Sequence, residues 1–321
     1  MMKRYIRLIL YGLVTVVVLA AFVPFLIPIQ PAKGVLPLDE LVDPNSTYID
    51  ANGVKIYYRQ SGINQPVFIL LHGLGASTYS WLEVFDDFSG LGSVVAYDRP
   101  GFGYSERPEV EDWSTENPYS NEAQLEQLWA VMDTLGIQKA ILVGHSAGGS
   151  IAIQAALQHP ERVESLILLA PAVYSSYSLP LFVQRLLNIP QIDRLGPLFV
   201  RQVFKGADRM LENAWHDRSL ITPEIRAEYF KPFQAEGWDM ALWEMMKIRV
   251  NPGIKNRLKE LDLSVLIVTG DDDRVVPIWQ SQRLAKAIPN AQLVVVENCG
   301  HMPQEEKPEE FLTAVDAFLL D

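Results

Sequence analysis

The sequence predicts an α/β fold, a mostly parallel sheet flanked by helices and interrupted once by a helical insertion. Three observations carry this. Short apolar runs bounded by turn residues recur along the chain, as strands buried on both faces require, and helical stretches alternate with them. One run, Ala140 to Val143, passes through Gly144-His145-Ser146-Ala147-Gly148 straight into residues at helical spacing, Ile151, Ala152, Ala155 and Ala156. From Pro171 to Asn251 the alternation stops, and tryptophan, leucine and methionine recur with no comparable strand.

The chain opens differently. Lys3, Arg4 and Arg7 precede a stretch from Leu8 to Ile29 with no charged residue. About 22 residues make a helix of roughly 33 Å, enough to cross a hydrocarbon core of about 30 Å. Residues 1–30 therefore read as a transmembrane signal-anchor, its basic flank cytoplasmic and everything after it on the extracytoplasmic side. The rival reading is a signal peptide cleaved near Ala20 and Ala21, leaving a secreted protein; the apolar run continues past those residues, longer than a signal core should be. Residues 31–44, with Pro31, Gly34, Pro37 and Pro44, suit a linker standing the folded part off the bilayer.

A first core segment spans 45–170. Thr47 to Asp50 and Val54 to Gln60 flank Asn52-Gly53, a hairpin signal, so the sheet begins with antiparallel strands. Val67 to Leu71 is a buried-strand run that empties into His72-Gly73-Leu74-Gly75, and Ser93 to Tyr97 another that ends in Asp98-Arg99-Pro100-Gly101. Asn121 to Leu135 reads as an amphipathic helix stopped by Gly136. Val163 to Leu169, Val265 to Thr269 and Leu293 to Val296 complete the strands. Residues 171–251 read as a helical cap, with Thr222-Pro223-Glu224 starting one helix, and 252–321 as the second core segment. Such a cap lies over the carboxyl ends of the strands, where open α/β sheets bind ligands. Its aromatics, Trp215, Trp238 and Trp243 foremost, are candidate substrate contacts.

A net charge of −12 and the lack of a basic cluster in the body of the chain argue against a nucleic-acid partner. The one cysteine, Cys299, excludes an internal disulfide and a cysteine-rich metal site, and suits packing.

Ser146 sits where a G-x-S-x-G turn forces the hydroxyl into the open at a helix N-terminus. A hydroxyl needs a base, and the base a carboxylate behind it. His301 follows the last strand run and so shares the sheet edge with Ser146. His72 and His145 belong to the glycine turns and hold loops; His159 and His216 have solvent or packing roles. The acid comes from Asp271, Asp272 or Asp273, at the end of the run Val265 to Thr269. That placement gives the chain order Ser, Asp, His.

With these motifs in this order, residues 45 to 321 resemble a capped serine-type alpha/beta-hydrolase, whose sheet has eight strands. The resemblance implies Asp273 as the triad acid, and the backbone N–H groups of Leu74 and Ala147 as oxyanion donors. It gives Asp98 to Ser105 a structural role. Relatives that open epoxides or displace halide use an aspartate at the elbow, which Ser146 argues against. The expected function is cleavage of a carboxylic ester, of a lipid or another apolar acyl group, through an acyl-enzyme, with no metal or organic cofactor and a small apolar ester as the partner. The alternatives are a C–C bond hydrolase or an amidase or aminopeptidase of the same build. Outside enzymes, the alternative is a ligand-binding protein with an idle triad.

Overall fold

The computed structural model describes residues 2–110, 113, 117–174, 180–248 and 253–320. Eight strands form one sheet in the order β1-β2-β4-β3-β5-β6-β7-β8. They are β1 (Tyr48–Ala51), β2 (Val54–Ser61), β3 (Val67–Leu71), β4 (Ser93–Tyr97), β5 (Ala140–His145), β6 (Val163–Leu169), β7 (Val265–Gly270) and β8 (Ala291–Val296). β1 and β2 pair antiparallel, β2 runs antiparallel to β4, and all later pairings are parallel. The opening hairpin turns on Asn52 (φ 54°) and Gly53 (φ 76°), the two left-handed positions that an Asn-Gly turn supplies.

The sheet is covered on both faces because its strands are apolar on both. In β3 every residue is buried. Ile69 and Leu71 face one core with Leu142, Leu128 and Ile153; Phe68 and Leu70 face the other with Val143, Trp81 and Phe311. A fully buried side chain of this size contributes roughly 1.5–3 kcal/mol, so the strand is held from both sides.

The helices are α1 (Met2–Leu26), α2 (Leu38–Leu41), α3 (Leu82–Leu91), α4 (Asn121–Thr134), α5 (Ala147–Gln158), α6 (Leu181–Leu187), α7 (Pro190–Phe204), α8 (Ala207–Ala214), α9 (Pro223–Phe230), α10 (Trp238–Lys247), α11 (Ile254–Arg257), α12 (Trp279–Ala287), α13 (Pro303–Glu306) and α14 (Pro308–Leu320). Ser120 caps α4, its side chain accepting from the Ala123 N–H, and Gly136 (φ 70°) lets the chain turn away after its end. Thr222 caps α9 in the same way, accepting from Ile225.

Helices α6 to α10 lie between β6 and β7, within the predicted insertion; residues 175–179 and 249–252 of it are outside the described residues. Residues 31–44 do not stand free. The Leu36 N–H donates to Gln234 O (2.7 Å), and the Glu236 N–H donates back to Leu36 O (3.0 Å). Ala32 and Val35 pack on the cluster of Val200, Trp238 and Trp243. An extended segment with unpaired backbone groups and apolar side chains finds partners in the insertion.

Helix α1 stands apart from the cores: no residue of the segment Arg4–Leu26, of mean hydropathy 2.5, is fully buried, and only its end, at Ala21 and Pro24, is half-covered.

Candidate active site

The strand-to-helix turn after β5 is set by sterics. Ser146 adopts φ 52° and ψ −115°, a left-handed backbone that a serine keeps only under tertiary constraint. The constraint is visible. The Ser146 N–H donates to Leu169 O (2.8 Å), and Ser146 O accepts from Gly149 (3.1 Å) and Ala172 (3.0 Å). A Cβ at Gly144 would lie 2.6 Å from the Gly149 Cα, and one at Gly148 only 2.1 Å from Leu71 O, so both flanking positions require glycine. Ser146 thereby heads α5, whose first N–H groups have no intrahelical partner.

His301 arrives from the loop after β8. Its Nδ1–H donates to Asp273 Oδ2 at 2.7 Å, and both side chains are almost wholly enclosed. Asp273 Oδ1 accepts from the Val275 and Val276 N–H groups at 2.8 and 2.7 Å, so the carboxylate is fixed by the turn after β7. The neighbouring acids point elsewhere. Asp271 accepts from the Cys299 N–H (3.2 Å), while Asp272 pairs with His216 (2.9 Å) and Arg274. Of the three, Asp273 is the one on His301.

The His301 ring faces that of His145, centroids 4.7 Å apart, which seats it over the elbow. His145 Nε2–H donates to His301 O (2.9 Å), and burial beside His301 holds the His145 pKa well below its ordinary value. It is a neutral support. Among the described residues no hydrogen bond joins Ser146 to His301. Such contacts are often loose without substrate.

The loop after β3 closes the other side. A Cβ at Gly73 would come within 3.1 Å of Ser146 Cβ, so this loop lies directly against Ser146. Its shape is dictated from beneath by the loop after β4. Asp98, fully buried, accepts from the Thr78 N–H (2.6 Å) and the Tyr104 N–H (2.7 Å). The Arg99 guanidinium donates to Gly73 O (3.0 Å) and Gln124 Oε1 (3.1 Å). His72 Nδ1–H donates to Gly73 O (2.8 Å) while its Nε2 accepts from the Arg99 N–H (3.0 Å), a single neutral tautomer satisfying both. Burial and the nearby guanidinium keep the His72 pKa far down. Leu74 is exposed at the tip of this loop, and among the described residues the N–H groups of Leu74 and Ala147 have no acceptor.

The sequence profile of the alpha/beta hydrolase fold family matches residues 66–308, which takes in every residue of this site. The chain belongs to the alpha/beta hydrolase fold family. Among its relatives is a hydrolase of uncharacterised activity, YugF of Bacillus subtilis, 30% identical over 261 residues, covering 80% of this chain and 92% of the relative. The 2-hydroxymuconate semialdehyde hydrolase of Pseudomonas putida is 30% identical over 280 residues, covering 84% and 92%. A solved structure described as an N-acyl homoserine lactone degrading enzyme is 28% identical with a TM-score of 0.64, covering 85% of this chain and all of that one.

In this hydrolase the three tryptophans do not share one pocket. Trp238 lines a narrow cleft with Gly75, Ala76, Phe102, Arg107 and Phe233, between the loop after β3 and the inserted helices. Trp215 is buried with Leu211, Ile221 and Met302; its segment underlies the histidine loop, since the His301 N–H donates to Ala214 O (2.6 Å). Trp243 fills the interface of α7 and α10: its ring takes the space a side chain at Gly196 would need, and its Nε1–H donates to Asp193 (2.6 Å). Only Trp238 of the three lines that cleft.

Two carboxylates that the sequence did not single out hold the site. Asp98 is one. The other is Glu306, buried in α13, which accepts from the Gly300 N–H (2.6 Å) and, across to the inserted segment, from the Asp217 N–H (2.7 Å). It therefore braces the residue before His301. An acid three residues after a proline gives no hint of this in the sequence. Among the described residues no three His, Cys, Asp or Glu side chains gather to hold a metal ion.

Proposed function

We propose that the protein hydrolyses a small molecule at a carbonyl carbon with Ser146 as nucleophile, His301 as base and Asp273 as the group that orients it. The observation that carries this is the Asp273–His301 pair, its carboxylate locked by two backbone N–H groups, at the sheet edge where Ser146 is forced outward. His301 Nε2 takes the Ser146 proton as Oγ adds to the carbonyl. The Leu74 and Ala147 N–H groups receive the oxyanion, each donor supplying about 2.7–4 kcal/mol in the transition state. Collapse expels the leaving group, which takes the proton from His301, and water repeats the sequence to release the acid.

For the bond cleaved, the relatives favour carbon–carbon. The 2-hydroxymuconate semialdehyde hydrolase and a meta-cleavage product hydrolase structure at 28% identity and TM-score 0.66 both support a C–C bond as the one cleaved. A carboxylic ester or lactone is the second reading, favoured by the lactone-degrading structure and the apolar walls of Phe102, Phe233 and Trp238. A panel decides between them: a conjugated 2-hydroxy-6-oxo-dienoate, followed by loss of its absorbance, against a chain-length series of p-nitrophenyl esters. Ser146→Ala should abolish turnover of whichever is accepted. Undiminished turnover in Ser146→Ala overturns the nucleophile assignment.

The exposed, apolar Arg4–Leu26 segment supports a further part of the reading, an uncleaved anchor with the hydrolase on the extracytoplasmic side. A membrane fraction that retains the full-length chain after alkaline carbonate washing supports it; release of a shortened soluble protein overturns it.

A further inference from the structure

The inserted helices carry apolar surface that faces away from the active site. On α6, Phe182 and Leu186 lie four apart, Ile189 precedes α7, and on α7, Ile192, Phe199 and Val203 recur at helical spacing; all six are exposed, Phe182 by 66% and Val203 by 52%. On these helices the outward face, which water should cover, is apolar.

Where that face lies is fixed by polar ties to the end of α1. Gln191 Nε2–H donates to Ala21 O (3.2 Å), and the Arg194 guanidinium donates to Pro24 O (3.2 Å) and Ile27 O (3.1 Å). Arg201 donates to Gln30 O (2.8 Å) while pairing with Asp239 (2.6 Å). Arg194 thereby meets one carbonyl in the last turn of α1, which lacks an intrahelical partner, and one just past its end, while Gln191 reaches the turn before and Arg201 the segment after. Helix α7 is thus held at the level where the apolar segment Arg4–Leu26 ends. If that segment spans a bilayer, this level is the headgroup boundary.

Charge agrees with the position. The chain is acidic overall, at −12, yet residues 181–205 carry Arg185, Arg194, Arg201 and Lys205 against Asp193 alone. A basic amphipathic segment with an aromatic and aliphatic face is the chemistry that settles about 5–10 Å into the boundary of an anionic bilayer.

We infer that α6 and α7 form a membrane-docking face: beside the anchor, the six apolar side chains enter the outer headgroup boundary of an anionic bilayer while Arg185 and Lys205 meet its phosphates. This rests on the reading of α1 as an anchor, and it goes beyond that reading by laying the inserted helices, rather than a tethered and freely tumbling domain, on the lipid. Phe204 of α7 packs against Trp238 of the cleft, centroids 4.7 Å apart, so the docked helix would lie beside the cleft wall.

The test uses the full chain reconstituted in vesicles of phosphatidylcholine and phosphatidylglycerol. Cys299 is wholly buried, so a polarity-sensitive fluorophore can be attached to one introduced cysteine at a time: Ile192→Cys, Val203→Cys, Val14→Cys in α1, and Lys139→Cys at the opposite end of the sheet. Hydrolytic turnover equal to that of the parent verifies folding of each. The labels at 192 and 203 should emit to the blue and be quenched severalfold more by lipid-borne nitroxide than the label at 139, and Arg185→Glu with Lys205→Glu should reduce that quenching. Quenching at 14 but not at 192 or 203 overturns the docking face and keeps the anchor. No quenching at 14 overturns the anchor and the docking face together. Labels at 192 and 203 shielded from aqueous iodide yet untouched by the lipid quencher mean that a second protein copy covers the face, which also overturns the inference.

Discussion

The loops at the strand ends and the helices inserted between β6 and β7 are built on opposite principles. In the loops, buried carboxylates have both oxygens engaged. Asp273 holds His301 and two N–H groups, Asp98 holds Thr78 and Tyr104, and Glu306 holds Gly300 and Asp217. In the inserted helices, packing is largely aromatic and aliphatic; Arg107 to Pro232 O, Asn117 to Glu244 and Tyr229 to Glu305 tie them to the core, and the end of α8 and the segment after it are tied through Ala214 O, His216 and the Asp217 N–H. The loops are over-determined because a misplaced base or donor forfeits the chemistry. The end of α8 belongs with the loops, since Ala214 O accepts from the His301 N–H, while α9 and α10 rest on the core through side-chain contacts.

The comparison breaks most decisively at Asp273. Asp273→Asn replaces an acceptor by an NH₂ that must face either His301 or the Val275 and Val276 N–H groups. The wrong imidazole tautomer follows, and kcat should fall about 10⁴-fold with KM little changed. Steady-state kinetics check this; a drop below tenfold means that the pair does not serve the reaction.

Asp98 tests whether the loop after β3 is held from beneath. Asp98→Ala strands the buried Thr78 and Tyr104 N–H groups and frees the segment that carries Leu74. The expected cost in kcat is about 10²–10³, the value of one oxyanion donor, with a lowered melting temperature. A melting loss without a kinetic one would make Asp98 a purely architectural residue.

The cap side is sharpened by a pair of substitutions. Trp238→Phe, in the cleft, should raise KM about tenfold at unchanged kcat, the scale of a lost apolar contact. Trp243→Phe, between α7 and α10, should leave KM alone and lower stability by about 1.5–3 kcal/mol through its lost hydrogen bond to Asp193. Equal KM effects in both would mean that the tryptophans act together after all.

That contrast also explains what was legible in the sequence. The sheet could be read because its strands are continuous apolar runs with turn residues between them, and Ser146, His301 and the acidic loop could be read because each lies at the end of such a run. The choice of Asp273 over Asp271 and Asp272 came from resemblance; the structure brings the same residue to His301 through the turn at Val275 and Val276. Two things were beyond the sequence. The Asp98 loop was legible as structural by resemblance, but a buried carboxylate such as Glu306 looks like any surface acid until the backbone N–H groups that it accepts from are in place. Aromatic residues of the inserted helices could be named, but which faced the cleft depended on helix packing, and Trp243 turned to Gly196 while Trp238 turned to Phe233.

The smallest expected effect concerns the tie between the two regions at Glu305, on α13 four residues past His301. Tyr229 of α9 donates to it at 2.5 Å, and Tyr79, from the segment after the loop of Leu74, packs edge-on against Tyr229. Burial, with Glu83 nearby, pushes the Glu305 carboxyl up to about 8, against the pull of the Tyr229 hydrogen bond. The folded protein therefore keeps a proton on Glu305 that the unfolded chain releases near pH 4.5. The stabilisation that this proton gives is complete below that pH, declines as pH rises, and is gone once pH passes through about 8. Because Glu305 keeps some solvent contact, the decline attributable to it should be on the order of 1 kcal/mol. Denaturant unfolding at pH 5, 6.5 and 8.5 reads it: the parent should lose stability over that range, and Glu305→Gln, which keeps the shape and cannot ionise, should remove that part of the loss. Parallel pH profiles of the two proteins would show that the tie holds as a carboxylate throughout, and that the inserted helices are seated on the core by packing alone.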